Sequence, residues 1–164
     1  MTNEPIIQLE TFHMSKVHIE FVHTEGEPFP AGPTEHSLTI DYNVATRADD
    51  DHRYRLSLLV SVNPKESGMR IESQIDGFFL CPAEMPVPVR NGAIRVNGGT
   101  ILYGLLRGQL AAISGSFPSG PYTLPTVSML DIVRRKEGVR AVGPSQITVA
   151  EDDQVSKYHA ETNK

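Results

Sequence analysis

The first half of the chain alternates apolar and polar residues, and the second half changes to helical spacing. Residues 6–23 alternate with a slip of parity: Phe12 and Met14 are even, whereas Val17, Ile19 and Phe21 are odd. Unbroken, that slip would send the two sets to opposite faces, so a strand bulged near Ser15–Lys16 is expected. Residues 25–35 hold three prolines and two glycines and read as a loop. From His36 to Ala45 the alternation is clean, with Leu38, Ile40, Tyr42 and Val44 facing one way. Arg47–Arg53 is a polar turn, after which Tyr54, Leu56, Leu58, Val60 and Val62 mark a third strand. Residues 63–68 turn again, and Met69, Ile71, Ile75 and Phe79 mark a fourth. Strands joined by short polar turns predict an antiparallel meander with one buried and one water-facing side.

Residues 81–92 hold three prolines and are expected to be a non-helical crossover. Leu102, Leu106, Leu110, Ile113 and Phe117 then recur at steps of three and four, the apolar face of a long helix. Asn97 is a cap for its start, and Gly115 with Pro118 a stop. A second face carries Gly104, Gly108, Ala111 and Ala112. Interior glycine costs a soluble helix about 1 kcal/mol relative to alanine, so this face predicts a close contact, with another part of the protein or a second copy of it as the neighbour. Pro125–Lys136 supplies a second helical segment, and beyond Arg140 the periodicity is weak, with a short strand expected at Ile147–Val149. The expected architecture is α+β: a four-stranded antiparallel sheet followed by two helices that close its apolar side.

Charge and chemistry narrow the function classes. The net charge of −5 conceals an asymmetry, with 6 basic and 13 acidic residues in 1–82 against 7 basic and 3 acidic in 83–146. An acidic half of this kind argues against a general nucleic-acid binder. No apolar run is long enough to span a membrane, and MTNEPIIQLE lacks the basic start and apolar stretch of a secretory leader. Cys81 is the only cysteine and reads as a small buried apolar residue, so a reducing compartment is expected. No nucleophile elbow is present, and VRNGAIRVNGG lacks the lysine and hydroxyl of a phosphate loop. Asp49, Asp50, Asp51 and His52 read as a solvated turn, and His13, His18 and His23, five residues apart, share neither a strand face nor a helix face. The sequence therefore predicts no metal, no cofactor and no enzyme.

Short segments in a shared order resemble the SecB protein-export chaperones across residues 8–136. Ile19-Glu20-Phe21 resembles the Ile-x-Phe of that family's first strand, and Gly77-Phe78-Phe79 the Gly-apolar-Phe that ends its fourth. Ile101-Leu102-Tyr103 with Arg107 resembles the start of its long helix, Gly115-Ser116-Phe117-Pro118 the end, and Val127-Ser128-Met129 the opening of its last helix. Gly104 stands where the family has a proline, and Met129 where it has a phenylalanine. The resemblance implies a chaperone domain over residues 1–140 and a C-terminal tail, 141–164, largely disordered. It implies a cytoplasmic, ATP-independent holdase for unfolded or precursor polypeptides, assembled as a dimer of dimers, in a family whose members either hand precursors to SecA or act beside toxin–antitoxin pairs. His18 and Val22 stand where SecA-docking members carry first-strand acids, so weak or absent SecA binding is expected. The alternative is a non-export adaptor for one partner such as an antitoxin. Phe78, Met85, Val87, Phe117, Tyr122, Leu124 and Met129 are the expected client-binding residues. Glu20, Asp41, Arg70 and Glu72 are the expected partner-docking residues, with Arg70 opposing a basic surface. The self-assembly surface would be the Gly104, Gly108, Ala111, Ala112 face.

Overall fold

The computed structural model describes residues 6–30, 34–118, 120–138 and 155–159. Its sheet has five strands: β1 (Gln8–Val22), β2 (His36–Arg47), β3 (Asp50–Pro64), β4 (Gly68–Leu80) and β5 (Ser156–Tyr158). Their order across the sheet is β1-β4-β3-β2-β5. Two features of the expected four-stranded meander are corrected. Only β2, β3 and β4 follow one another as neighbours, because β1 pairs antiparallel with β4. A fifth strand also comes from the tail and pairs parallel with the end of β2. The strand expected at Ile147–Val149 lies outside the described residues.

The bulge in β1 forms where the parity slip placed it, as a register shift between Met14 and Lys16. Phe12 and Met14 before it, and Val17, Ile19 and Phe21 after it, oppose Gly77, Ile75, Ser73, Ile71 and Met69 of β4. These five apolar side chains of β1 thus share one face. On β3 the predicted alternation is complete, with Tyr54, Leu56, Leu58, Val60 and Val62 buried.

The helical half begins earlier than the proline count suggested. Helix α1 spans Val87–Ala93, a π-helical turn runs through Ile94–Gly98, and α2 continues through Gly99–Ser114. Pro86 caps α1 and Pro88 lies in its first turn, where a missing N–H costs no intrahelical bond. Asn97 therefore sits inside a continuous helical run, not at its start. Gly115 keeps a right-handed conformation (φ −58°), so it is not a left-handed stop. Leu102, Leu106 and Leu110 are fully buried as expected, but Ile113 is 41% exposed and Ser114 takes the inward position. The Ser114 hydroxyl accepts from the Tyr122 N–H at 2.8 Å, and the Tyr103 hydroxyl donates to the Pro125 carbonyl at 2.7 Å. These bonds tie the long connection back to α2. Helix α3 (Met129–Lys136) is capped by Ser128, whose hydroxyl accepts from the Asp131 N–H.

Close approaches seat this layer. A Cβ on Gly77 would lie 2.6 Å from Leu102, and one on Gly99 2.6 Å from the tip of Met129. Buried Arg90 fastens α1 to the β2–β3 hairpin, donating to the Met85 and Asp51 carbonyls and to His52 Nδ1. Gly77→Ala is expected to destabilise the chain by about 1–3 kcal/mol, because buried Leu102 has little room to retreat. Chemical denaturation checks this, and unchanged stability would show that α2 is not seated on Gly77.

Candidate functional site

The helical layer leaves two apolar flanks of the sheet partly open. On one side lies β1, where Phe12 is 37% and Val17 40% exposed. On the other, β2 and α3 border a cavity of about 420 Å³. Its apolar lining is Leu38 and Ile40 of the strand, with Val127 and Ile132 before and within the helix. Arg135, Lys136, Asp41 and Thr39 line it too. The groove exists because α3 lies beside a sheet edge. Leu38 and Ile40 continue the buried row of Tyr42 and Val44 but reach only partial burial.

Helix α3 is held to that edge by charge. Glu137 meets the buried Arg95 guanidinium at 3.2 Å and accepts from the Tyr42 hydroxyl at 3.2 Å. The Lys136 ammonium donates to Asp41 at 2.5 Å and to the Tyr42 carbonyl, and lies 4.4 Å from the Tyr42 ring centre. Asp41 in turn accepts from the Tyr42 N–H at 2.8 Å. The Lys136 bond holds the Asp41 carboxyl below its ordinary pKa, against a smaller opposing effect of burial. Together Asp41 and Lys136 occupy both backbone groups of Tyr42, which blunts part of an open strand edge. Arg135 donates to the Asp131 carbonyl and makes no ion pair among the described residues, which leaves a cation at the groove's rim.

The expected client-binding residues do not gather at one place. Leu124 and Met129 are core residues, 0% and 3% exposed. Met85 and Val87 flank the start of α1 near the β2–β3 hairpin, and Val87 is 48% exposed. Phe117 and Tyr122 are half-buried, and Tyr122 packs edge-on against His36 at the start of β2. Phe78 lies on the opposite, outer side of the sheet, edge-on to Tyr158. The lining pair Val127 and Ile132 was missed because periodicity shows that a helix has an apolar side, but not how far that side stops short of full cover.

The expected docking residues on the outer face are bound to one another or to neighbours. Glu20 pairs with Arg70 and Glu72 with Lys16 at 2.7 Å, while His18 lies 3.5 Å from Glu20. The Lys16 bond holds the Glu72 carboxyl below its usual range. Buried Asp76 accepts from Ser57 and Gln74 on the same face. On α2, Gly104 and Gly108 face open space, Ala112 is exposed and Ala111 half-buried.

Little in the site is suited to covalent or metal chemistry. Burial pushes the Cys81 thiol up to about 11, which suppresses its thiolate. In the polar turn Asp49 pairs with Arg47, and Asp50 with Arg53. Among the described residues no cluster of three or more histidine, cysteine or carboxylate side chains is placed to hold a metal, and no helix is long and apolar enough to cross a membrane.

No protein-family profile matches the chain, and no curated protein matches it in sequence. Solved structures do match. A SecB-like chaperone from Mycobacterium tuberculosis, Rv1957, was solved in complex with a ChAD peptide from the antitoxin HigA1. It aligns over 74% of this chain and 91% of its own, with a TM-score of 0.59 and 13% identity. A protein of unknown function from Streptococcus agalactiae aligns over 73% and 97%, with a TM-score of 0.43 and 12% identity, too slight a likeness to build on. At such identities the likeness is one of fold: in architecture, this chain is similar to a SecB-like chaperone.

Proposed function

We propose that this chain is a SecB-like adaptor that captures an extended segment of one partner protein, of the antitoxin kind, in the groove between β2 and α3. The observation that carries the reading is the groove itself. It offers apolar positions at Leu38, Ile40, Val127 and Ile132 beside a strand edge, and a cation at Arg135 that makes no ion pair among the described residues. Such a channel suits a peptide with spaced apolar residues and at least one carboxylate. The chaperone of the same fold, solved with an antitoxin peptide, supports this choice over a general export holdase.

Titration of an acidic-apolar antitoxin tail peptide tests it. Ile40→Ser with Val127→Ser should weaken binding by about tenfold or more, and Arg135→Glu by about three- to tenfold with loss of salt dependence. Unchanged affinity in both, with folding intact by circular dichroism, would exclude the groove. Suppression of aggregation of two unrelated unfolded proteins, at the same concentration that binds the peptide, would favour the broader holdase reading.

An export role would also need a dock for SecA. The acids expected to provide it are already neutralised, Glu20 by Arg70 and Glu72 by Lys16. Pre-formed pairs must be broken or shared before they can meet a basic partner, which reduces both attraction and steering. Calorimetry against SecA should give binding about tenfold weaker than for an export-dedicated family member, or about 1.4 kcal/mol. Tight binding abolished by Glu72→Lys would contradict this.

Self-assembly is the proposed use of the other flank. A long edge strand with a half-open apolar row and a helix face of glycine and alanine both favour cover by a second copy. Among the described residues, nothing lies within 4 Å of a Cβ placed on Gly104 or Gly108. Light scattering should find an oligomer, a dimer of dimers, and Gly108→Leu should lower its mass by overpacking the contact. A wild-type monomer at micromolar concentration would contradict this.

A further inference from the structure

The outer face of the sheet is largely polar, and the C-terminal segment lies at one edge of it. There β5 runs parallel to the last three residues of β2, pairing Ala45 with Ser156, Thr46 with Lys157 and Arg47 with Tyr158. The Ala48 N–H donates to the Tyr158 carbonyl at 2.8 Å. The Tyr158 ring stands edge-on to Phe78, 5.9 Å between centres, and the Arg55 guanidinium lies 5.5 Å from the same ring.

Three details mark this as a receiving surface more than a piece of core. Phe78 is a large, half-buried aromatic side chain that follows Arg70, Glu72, Gln74 and Asp76 on the outer side of the same strand. Arg55, unlike Arg47 and Arg53, makes no ion pair among the described residues, and its contact is the tyrosine ring. A guanidinium over one side of a ring and an aromatic edge on another is a geometry that selects an aromatic guest. What occupies it is short: three residues of strand at the sheet's outer limit. The segment follows Gly138 by 16 intervening residues, so it acts as an intramolecular ligand whose local concentration a free peptide must match.

We propose that Phe78, Arg55 and the Ala45–Ala48 edge form a docking site for an extended peptide bearing an aromatic side chain, and that the chain's own Val155–His159 segment is its resident ligand. The strap closes the outer face until a competing segment of the same pattern displaces it. Backbone pairing supplies affinity without much sequence preference, and the place between Phe78 and Arg55 supplies selection for the ring. Phe78 and Arg55 lie on the opposite face of the sheet from the β2–α3 groove, although both sites share the β2 edge. The test below reads Ala48 and none of the groove residues, so this proposal and the adaptor reading fail separately.

Hydrogen exchange of the Ala48 amide in the full chain tests it. The wild type should protect this amide, and Tyr158→Ala should raise its exchange by about tenfold or more, while Tyr158→Phe keeps the protection. Millimolar synthetic Val-Ser-Lys-Tyr-His added to the Tyr158→Ala chain should restore protection, and the same peptide with alanine for tyrosine should not. Phe78→Ala should lose both the protection and the restoration. Equal Ala48 exchange in wild type and Tyr158→Ala would overturn the strap. Loss of protection that no peptide restores would overturn the docking site.

Discussion

A helical layer too narrow for its sheet governs the rest of the structure. Neighbouring strands lie about 4.8 Å apart and a helix with its side chains is about 10 Å across, so one helix covers roughly two strands. Helix α2 is seated over β4, where Leu102 meets Gly77, and Gly98 before it faces Leu56 of β3 and Phe79 of β4. Helix α3 reaches β2 near Tyr42, held there by Lys136 and Glu137. The row on β1 stays half-open at one flank, and Leu38 with Ile40 stays half-open at the other. The two flanks differ in chemistry. One adjoins the long, bulged edge strand β1, which we propose a second copy covers. The other is a groove with a basic rim, suited to an extended acidic-apolar chain.

Charge is spent on holding elements together, which leaves little for attracting partners. Arg90 and Arg95 are buried because each has a local task, at the hairpin and at α3. Asp41 and Lys136 saturate the backbone of Tyr42 on an edge that would otherwise invite strand addition along its whole length. On the outer face the Lys16–Glu72 and Arg70–Glu20 pairs turn an acidic sequence into a nearly balanced surface. Exposed pairs of this kind add little stability, about 0–1 kcal/mol each, but they do set the field that an approaching protein meets. Arg135 and Arg55 are two cations with no ion pair among the described residues, and each borders a proposed binding place.

Much of the sheet could be read from the sequence, because period-2 alternation is local and a parity slip has only one economical cause. The Met14–Lys16 bulge and the full inward row of β3 follow from that alone. Strand order could not be read so, since alternation says which side a residue faces and not which neighbour it pairs with. Hence β1 was expected beside β2 and lies beside β4. Counting prolines without their positions hid α1, where Pro86 and Pro88 fall at the only helical positions that tolerate them. Leu124 and Met129 could not be separated from groove residues by type, because a core and a client groove use the same side chains. Burial decided it. Tyr158 gave no periodic signal at all, since three residues of strand are shorter than any pattern that alternation can establish.

The most direct measurement is a hydrogen-exchange footprint of the full chain with and without a saturating antitoxin tail peptide, taken together with solution mass. The account requires added protection at residues 38–42 and 127–133, with the oligomer's mass increased only by the bound peptide. Protection confined to β1 or to the outer face, or dissociation of the oligomer on binding, would contradict the assignment of one flank to a partner and the other to a second copy.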